Sequence, residues 1–224
     1  MRFPLAPAAL LMLLLAGCGA ADAPRTVVTL GDSVPAGTAC SCSAFPALYA
    51  RAQHATDVNL AVPGMTAADL LSALPAARHA LSTASEVVIM AGANDIAGVV
   101  GRPAAYASVV SAVQDDLVAT VTAIEKIHRV RVVVLGYWNV VEDGQVGTAA
   151  YGPDGMRDAA RATAALNTAL RDAAGRTGAV FVPTEAAFHG TSGDRDPTGL
   201  LAADGDHPNA AGQAVIAALL PPLP

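Results

Sequence analysis

Lysine is nearly missing from this chain: there is one in 224 residues, and no run of basic residues gathers anywhere in the sequence. A protein that tracks a phosphate backbone needs such a cluster, so nucleic acid is excluded as a partner. Aromatic residues make up 4%, which leaves few platforms for stacking bases or long glycans. There are only three cysteines, and two of them in a Cys40-Ser41-Cys42 spacing do not make a zinc site. No Walker loop, dinucleotide fingerprint or His-Glu-x-x-His pattern occurs, so no cofactor or metal is expected. Beyond the N-terminus no eighteen uncharged apolar residues follow one another, which argues against a membrane span.

What is present is apolar mass. Hydrophobic residues are 53% of the chain and the formal net charge is -6. That length and composition fit one sizeable core and one domain, with no internal repeat. Nothing points to an oligomer, and a monomer is expected.

The first residues read as a leader. Arg2 is followed by the apolar run 10–15 and by Ala16-Gly17-Cys18. This is a secretory signal, too short for a stable span. Leu15-Ala16-Gly17-Cys18 resembles the bacterial lipobox, in which the cysteine is lipidated and becomes the new N-terminus. The expected organisation is a signal peptide over 1–17, a tether over 18–25 and one domain over 26–224, held at the cell envelope by a lipid on Cys18. An ordinary cleaved signal and a soluble secreted protein is the alternative. Export places Cys40 and Cys42 in an oxidising compartment, where they either close a very small disulfide or remain two thiols near the surface.

From residue 26 onward, short β-branched runs alternate with helical patterns. Thr26–Leu30, Val58–Val62, Glu86–Ala91, Arg131–Leu135 and Ala179–Val182 read as strands. Between them, Ala44–Gln53 is helical. A helix capped by Thr66 and Asp69 carries Leu70, Leu71 and Leu74 and is expected to stop before Pro75. Pro103–His128 is the clearest helix, with Tyr106, Val110, Val113, Leu117, Val121 and Ile124 on one stripe. Residues 144–155 show no period and read as loop, Met156–Arg176 as helix, and 184–203 as surface loop. A last helix begins at Pro208 and carries Val215, Ile216, Leu219 and Leu220. Five strands alternating with helices predict an α/β fold, a single-domain three-layer α/β/α sandwich on a five-stranded parallel sheet, with the flavodoxin-like strand order 2-1-3-4-5.

Candidate chemistry collects at strand exits. Gly31-Asp32-Ser33 ends the first strand on a turn, Gly64 follows the second, Asn94 the third, and Asp204 with His207 precedes the last helix. In a parallel sheet these points share one edge, where ligands bind. A serine nucleophile needs a histidine base, and the base needs a carboxylate that fixes its tautomer. A tetrahedral intermediate needs donors, which the N–H groups of Ser33 and Gly64 and the Asn94 amide can supply. Asp32 and Asp95 read as turn-stabilising. His54, His79, His128 and His189 are scattered and read as surface or helix-end residues. Tyr137 and Trp138, after the fourth strand, either wall a substrate pocket or simply pack. Ser192, in Gly190-Thr191-Ser192-Gly193, misses the Gly-x-Ser-x-Gly pattern by one place, which rejects that nucleophile elbow.

Four segments taken together carry a resemblance. Gly31-Asp32-Ser33 with Gly37, Asn59-Leu60-Ala61-Val62-Pro63-Gly64, Gly92-Ala93-Asn94-Asp95, and Asp204-Gly205-Asp206-His207-Pro208-Asn209 resemble, in order, the four blocks of the SGNH (GDSL-type) hydrolases. The likeness runs from about residue 26 to residue 220. It implies a metal-independent hydrolysis of carboxylic esters or thioesters, with Ser33 as nucleophile, His207 as base, and an oxyanion hole from Ser33, Gly64 and Asn94. The family's acid stands three residues before the histidine, which selects Asp204 over Asp206. The expected substrate is a small-molecule, glycan or lipid ester. An acyltransferase or deacetylase acting on glycans is the alternative, and a non-catalytic binding lipoprotein a third.

Overall fold

The structure is a computed structural model that describes residues 24–224; Cys18 and the proposed leader and tether junction lie outside the described residues. Five strands, β1 (Thr26–Gly31), β2 (Thr56–Asn59), β3 (Glu86–Met90), β4 (Arg131–Leu135) and β5 (Val180–Val182), form one parallel sheet in the order β2-β1-β3-β4-β5. The register aligns strand starts: Val27 lies beside Asp57 and Glu86, and Glu86 beside Arg131. Val27, Val28, Val87, Val88, Ile89, Val133 and Leu135 are fully or almost fully buried, as expected of central strands covered on both faces.

Among the described residues, eight α-helices connect and cover the sheet: α1 (Ser33–Ala36), α2 (Phe45–Ala52), α3 (Ala67–Leu81), α4 (Ala93–Ala97), α5 (Tyr106–Ile127), α6 (Gly144–Thr177), α7 (Glu185–His189) and α8 (Ala210–Leu219). α3, α5 and α6 pack side by side as one layer, while α2 and α8 pack together as another. The stripe expected on α5 is buried at Tyr106, Val113, Leu117, Val121 and Ile124.

Five local expectations are corrected. α3 does not stop before Pro75 but runs through it to Leu81. Burying Ala77 and Leu81 beyond the proline helps offset a cost of about 3 kcal/mol. Residues 144–151 are helical rather than loop; α6 bends at Gly152 (φ 64°) and restarts with Pro153, which suits a first helical position. Residues 184–203 contain α7, whose Phe188 is wholly buried. The last helix begins after Asn209, whose side chain accepts from the Ala211 and Gly212 N–H groups, while Pro208 pairs with Leu201 in an isolated bridge. The second strand runs over Thr56–Asn59 rather than Val58–Val62, displaced toward the N-terminus, but Leu60 and Val62 still donate to the Thr29 and Gly31 carbonyls, so the pairing with β1 continues past it. The Thr66–Asp69 capping box forms in full. Cys40 and Cys42 are joined, with Cα atoms 5.1 Å apart.

Candidate active site

Ser33 stands where β1 becomes α1. The approach to β3 is so close there that a Cβ on Gly31 (φ +145°) would meet the Met90 carbonyl oxygen, so only glycine fits. Asp32 follows, donates its own N–H to that carbonyl, and caps α1 by accepting from the Val34 N–H at 3.0 Å. Ser33 is therefore the first residue of a one-turn helix rather than part of a simple turn, and Pro35 is tolerated because first-turn N–H groups have no helical partner. Gly37, in left-handed conformation, ends the turn.

His207 comes from the turn before α8. Its Nδ1 lies 2.8 Å from Asp204 Oδ2 and 3.8 Å from Asp206 Oδ2. The Asp204 Oδ1 accepts from the N–H groups of both Asp206 and His207 at 3.1 Å. Burial pushes the Asp204 carboxyl upward, but the His207 ring and these two N–H groups outweigh it and hold the group below its ordinary value. Asp206 has no such donors, and burial raises it. The turn is fastened by Ala202 N–H donating to the His207 carbonyl and by Asn209 N–H donating to Leu200.

Asn94 lies in the first turn of α4, and its Nδ2 donates to the Met65 carbonyl at 3.0 Å. That bond ties the loop carrying Gly64 to the exit of β3. Gly64 has φ +82°, and nothing lies within 4 Å of where its Cβ would be, so its backbone is open to an approaching group. Asp95 accepts from the Ala67 N–H and fastens the same loop from below. Asn59 Nδ2 reaches back to the Pro35 carbonyl, which couples the Gly64 segment to the Ser33 turn.

Ser33, Asn94 and His207 line one cavity of about 70 Å³, with Asp32, Tyr137 and Trp138. Asp204 stands behind His207 rather than in this lining, and Gly64 lies on the neighbouring loop. Tyr137 and Trp138 both wall the cavity and pack: Trp138 stacks on Phe188 with ring centres 4.0 Å apart. Two further cavities flank it. One of about 250 Å³ is apolar and includes Leu60, Val62, Met65 and Leu74. The other, of about 260 Å³, shares Trp138 and Asn139 with the site and adds polar Thr163, Glu185 and His189. No group of metal-ligating side chains forms among the described residues.

Three supports were not visible in the sequence. The buried Tyr137 hydroxyl donates to Asp32 Oδ2. Burial pushes Asp32 up to about 6, against the pull of the hydrogen bonds from Tyr137 and Val34. Gln213 of α8 is fully buried; it accepts from the Phe45 N–H and donates to the Val34 carbonyl, locking α8 onto the turn after Ser33. A glutamine between apolar residues of the last helix was the available signal, since a buried amide must find partners. Third, Asp143 Oδ2 lies 3.0 Å from His189 Nε2, and the Asp143 N–H donates to the Gly205 carbonyl, in the turn that carries His207.

The model of the GDSL-like Lipase/Acylhydrolase family matches residues 29–215. Among curated proteins none matches the sequence. The fold is similar to a lipase from a goat rumen metagenome (TM-score 0.70, 18% identity, 87% of this chain and 94% of that one). It is also similar to phospholipase A1 from Streptomyces albidoflavus (TM-score 0.67, 23% identity, 88% and 100% covered). A third likeness is to an acetylxylan esterase from Geobacillus stearothermophilus (TM-score 0.65, 19% identity, 87% and 91% covered).

Proposed function

The chain belongs to the GDSL-like lipase/acylhydrolase family, whose members act on ester bonds, and from that premise we propose that it is an exported serine esterase working through an acyl-enzyme. The observation that carries this reading is the meeting of Ser33, Asn94 and His207 in one cavity, with Asp204 2.8 Å behind the imidazole. Ser33 Oγ attacks the ester carbonyl while His207 Nε2 takes its proton. Asp204 holds the proton on Nδ1 and stabilises the imidazolium. The negative oxygen is met by the N–H groups of Ser33 and Gly64 and by the Asn94 amide. Collapse of the intermediate releases the alcohol, which takes the proton from His207. Water then enters with His207 as base, and the acid leaves, restoring Ser33.

The Cys18 lipobox supports anchoring at the cell envelope. Cys18→Ser should abolish labelling by a palmitate analogue and lower membrane association; unchanged labelling would refute the anchor. A second reading, deacetylation of or transfer onto a glycan, is favoured by the cavity behind Trp138 and Asn139, where Thr163, Glu185 and His189 can meet the hydroxyls of a sugar. A panel of p-nitrophenyl esters of graded acyl length, with acetylated sugars and a sugar acceptor beside it, tests both. Ser33-dependent release of acid supports the esterase, acylated acceptor the transferase. Turnover that survives Ser33→Ala would sink both.

A further inference from the structure

The charges of this chain are scattered in sequence but sorted in space. In a parallel sheet every connecting helix ends at the edge where the strands begin. Here that edge receives the start of β1 at Arg25, the end of α2 at Arg51, the end of α3 at Arg78, the end of α5 at Lys126 and Arg129, and the end of α6 at Arg176. All but Arg25 are exposed, and His54, His79 and His128 stand exposed beside them. Arg176 faces Asp115 at 3.6 Å, while Arg51, Arg78, Lys126 and Arg129 take part in no ion pair among the described residues. The same edge also carries acidic residues: Glu86, buried and neutralised by Arg131, half-buried Asp57 at the start of β2, and exposed Glu125 and Asp172, so the basic groups outnumber the free acidic ones there without excluding them. The opposite edge, with the site, holds Glu142, Asp143, Asp194, Asp196, Asp204 and Asp206 against the basic Arg102 and Arg195. A chain of net charge -6 thus presents one cationic face. Basic residues favour helix C-termini, so each position has a local cause, but the topology adds them into one surface.

We propose that this face lies against an anionic lipid surface and holds the catalytic edge away from it. The occupant follows from where the chain leaves the domain. The described chain enters the sheet at this edge, through Arg25 and Thr26. Between Cys18 and Arg25 there are at most about 25 Å of extended chain. A lipid on Cys18 therefore keeps this edge, and not the acidic one, next to the bilayer, within reach of the surface potential of anionic headgroups. One acyl anchor with a cationic patch is a combination that makes membrane attachment stable. The acidic edge is repelled by the same potential. The substrate is then met from the aqueous side, as a soluble or wall-borne ester rather than a lipid of the bilayer beneath. This rests on the anchor reading and sharpens it.

The single lysine supplies the test, because an amine-reactive ester modifies the folded domain at Lys126 alone. Full-length protein is mixed with vesicles of phosphatidylcholine, or of phosphatidylcholine with about one-third phosphatidylglycerol. Flotation reads the anchor, and peptide mapping of Lys126 modification reads the face. Modification should be about three- to ten-fold slower on the anionic vesicles, and about 0.5 M salt should remove the difference. Arg78→Glu with Arg129→Glu should abolish the protection while hydrolysis of a soluble ester is unchanged. Equal modification on both vesicle types, with protein floating on both, would overturn the proposal and leave the anchor standing. If the protein floats on neither, the anchor reading fails. Protection confined to excess anionic vesicles would then still support the face, and its absence would end the proposal.

Discussion

Asp204–His207 and Asp143–His189 are the same chemical pair at nearly the same separation, 2.8 and 3.0 Å. Only one of them sits in the arrangement that the proposed esterase mechanism requires. Asp204 takes the Nδ1 of its histidine, leaving Nε2 free on a ring that lines a cavity with Ser33 and Asn94. Asp143 takes Nε2, and no serine lines either of the cavities beside it. The other oxygen of Asp143 caps the start of α6. Its neighbour Thr163 already donates to Ala159 and Asn139. A carboxylate beside an imidazole is thus not in itself a catalytic device. What decides is which ring nitrogen stays free and whether the fold delivers a hydroxyl and oxyanion donors to it. The second pair is a clasp, joining the α7 loop to the head of α6 next to the turn of Gly205.

The contrast can be broken by mutation. Ser33→Ala and His207→Ala should each lower kcat by about 10⁵–10⁶, and the double variant should be little worse, because the two act as one unit. Additive losses would separate their roles. Asp204→Ala should cost about 10⁴ in kcat. Asp206→Ala should cost far less, since it stands 3.8 Å from the ring and lacks the turn's N–H donors. The reverse order would make Asp206 the orienting acid. Asn94→Ala removes one of three donors and should cost about 10²–10³ in kcat with KM little changed, because the oxyanion exists only in the transition state. A rise in KM alone would make Asn94 a ground-state contact.

His189→Ala should leave kcat within a few-fold and act on stability instead. The Asp143 carboxylate, against the opposing effect of burial, raises the His189 pKa above its ordinary value. A group with a raised folded-state value binds its proton more tightly when folded. Its contribution is complete below about pH 6.5 and fades as pH climbs through the folded value. The Tm gap between wild type and His189→Ala should therefore be widest in acid and narrow toward pH 9. A gap that grows with pH would contradict the clasp.

The sheet order was readable because every strand is a short β-branched run and right-handed crossovers leave few alternatives. Ser33 and Asn94 were readable because each sits at a strand exit, where sequence order alone fixes the edge, and His207 because it stands just before the last helix. Two of the misread elements, α3 and the start of α6, share a cause. Pro75, Gly152 and Pro153 are breakers locally, and tertiary burial or a restart at a suitable position overrode them. The supports of the site were hidden for another reason. Tyr137 meets Asp32 across 105 positions and Gln213 meets Phe45 across 168, and no local period records such partners. The cationic edge lies between these cases. No basic run exists in the sequence, yet strand–helix alternation sends every helix end to one side of the sheet, so its assembly follows from topology once the termini are marked.

The most direct measurement is covalent. A fluorophosphonate reacts only with a serine whose proton is taken and whose phosphoryl oxygen is held by oxyanion donors. Mass mapping after labelling should place one adduct on Ser33, greatly slowed by His207→Ala and unaffected by His189→Ala. An adduct on another serine, or equal labelling with and without His207, would contradict the assignment of Ser33 and His207 as the reacting pair.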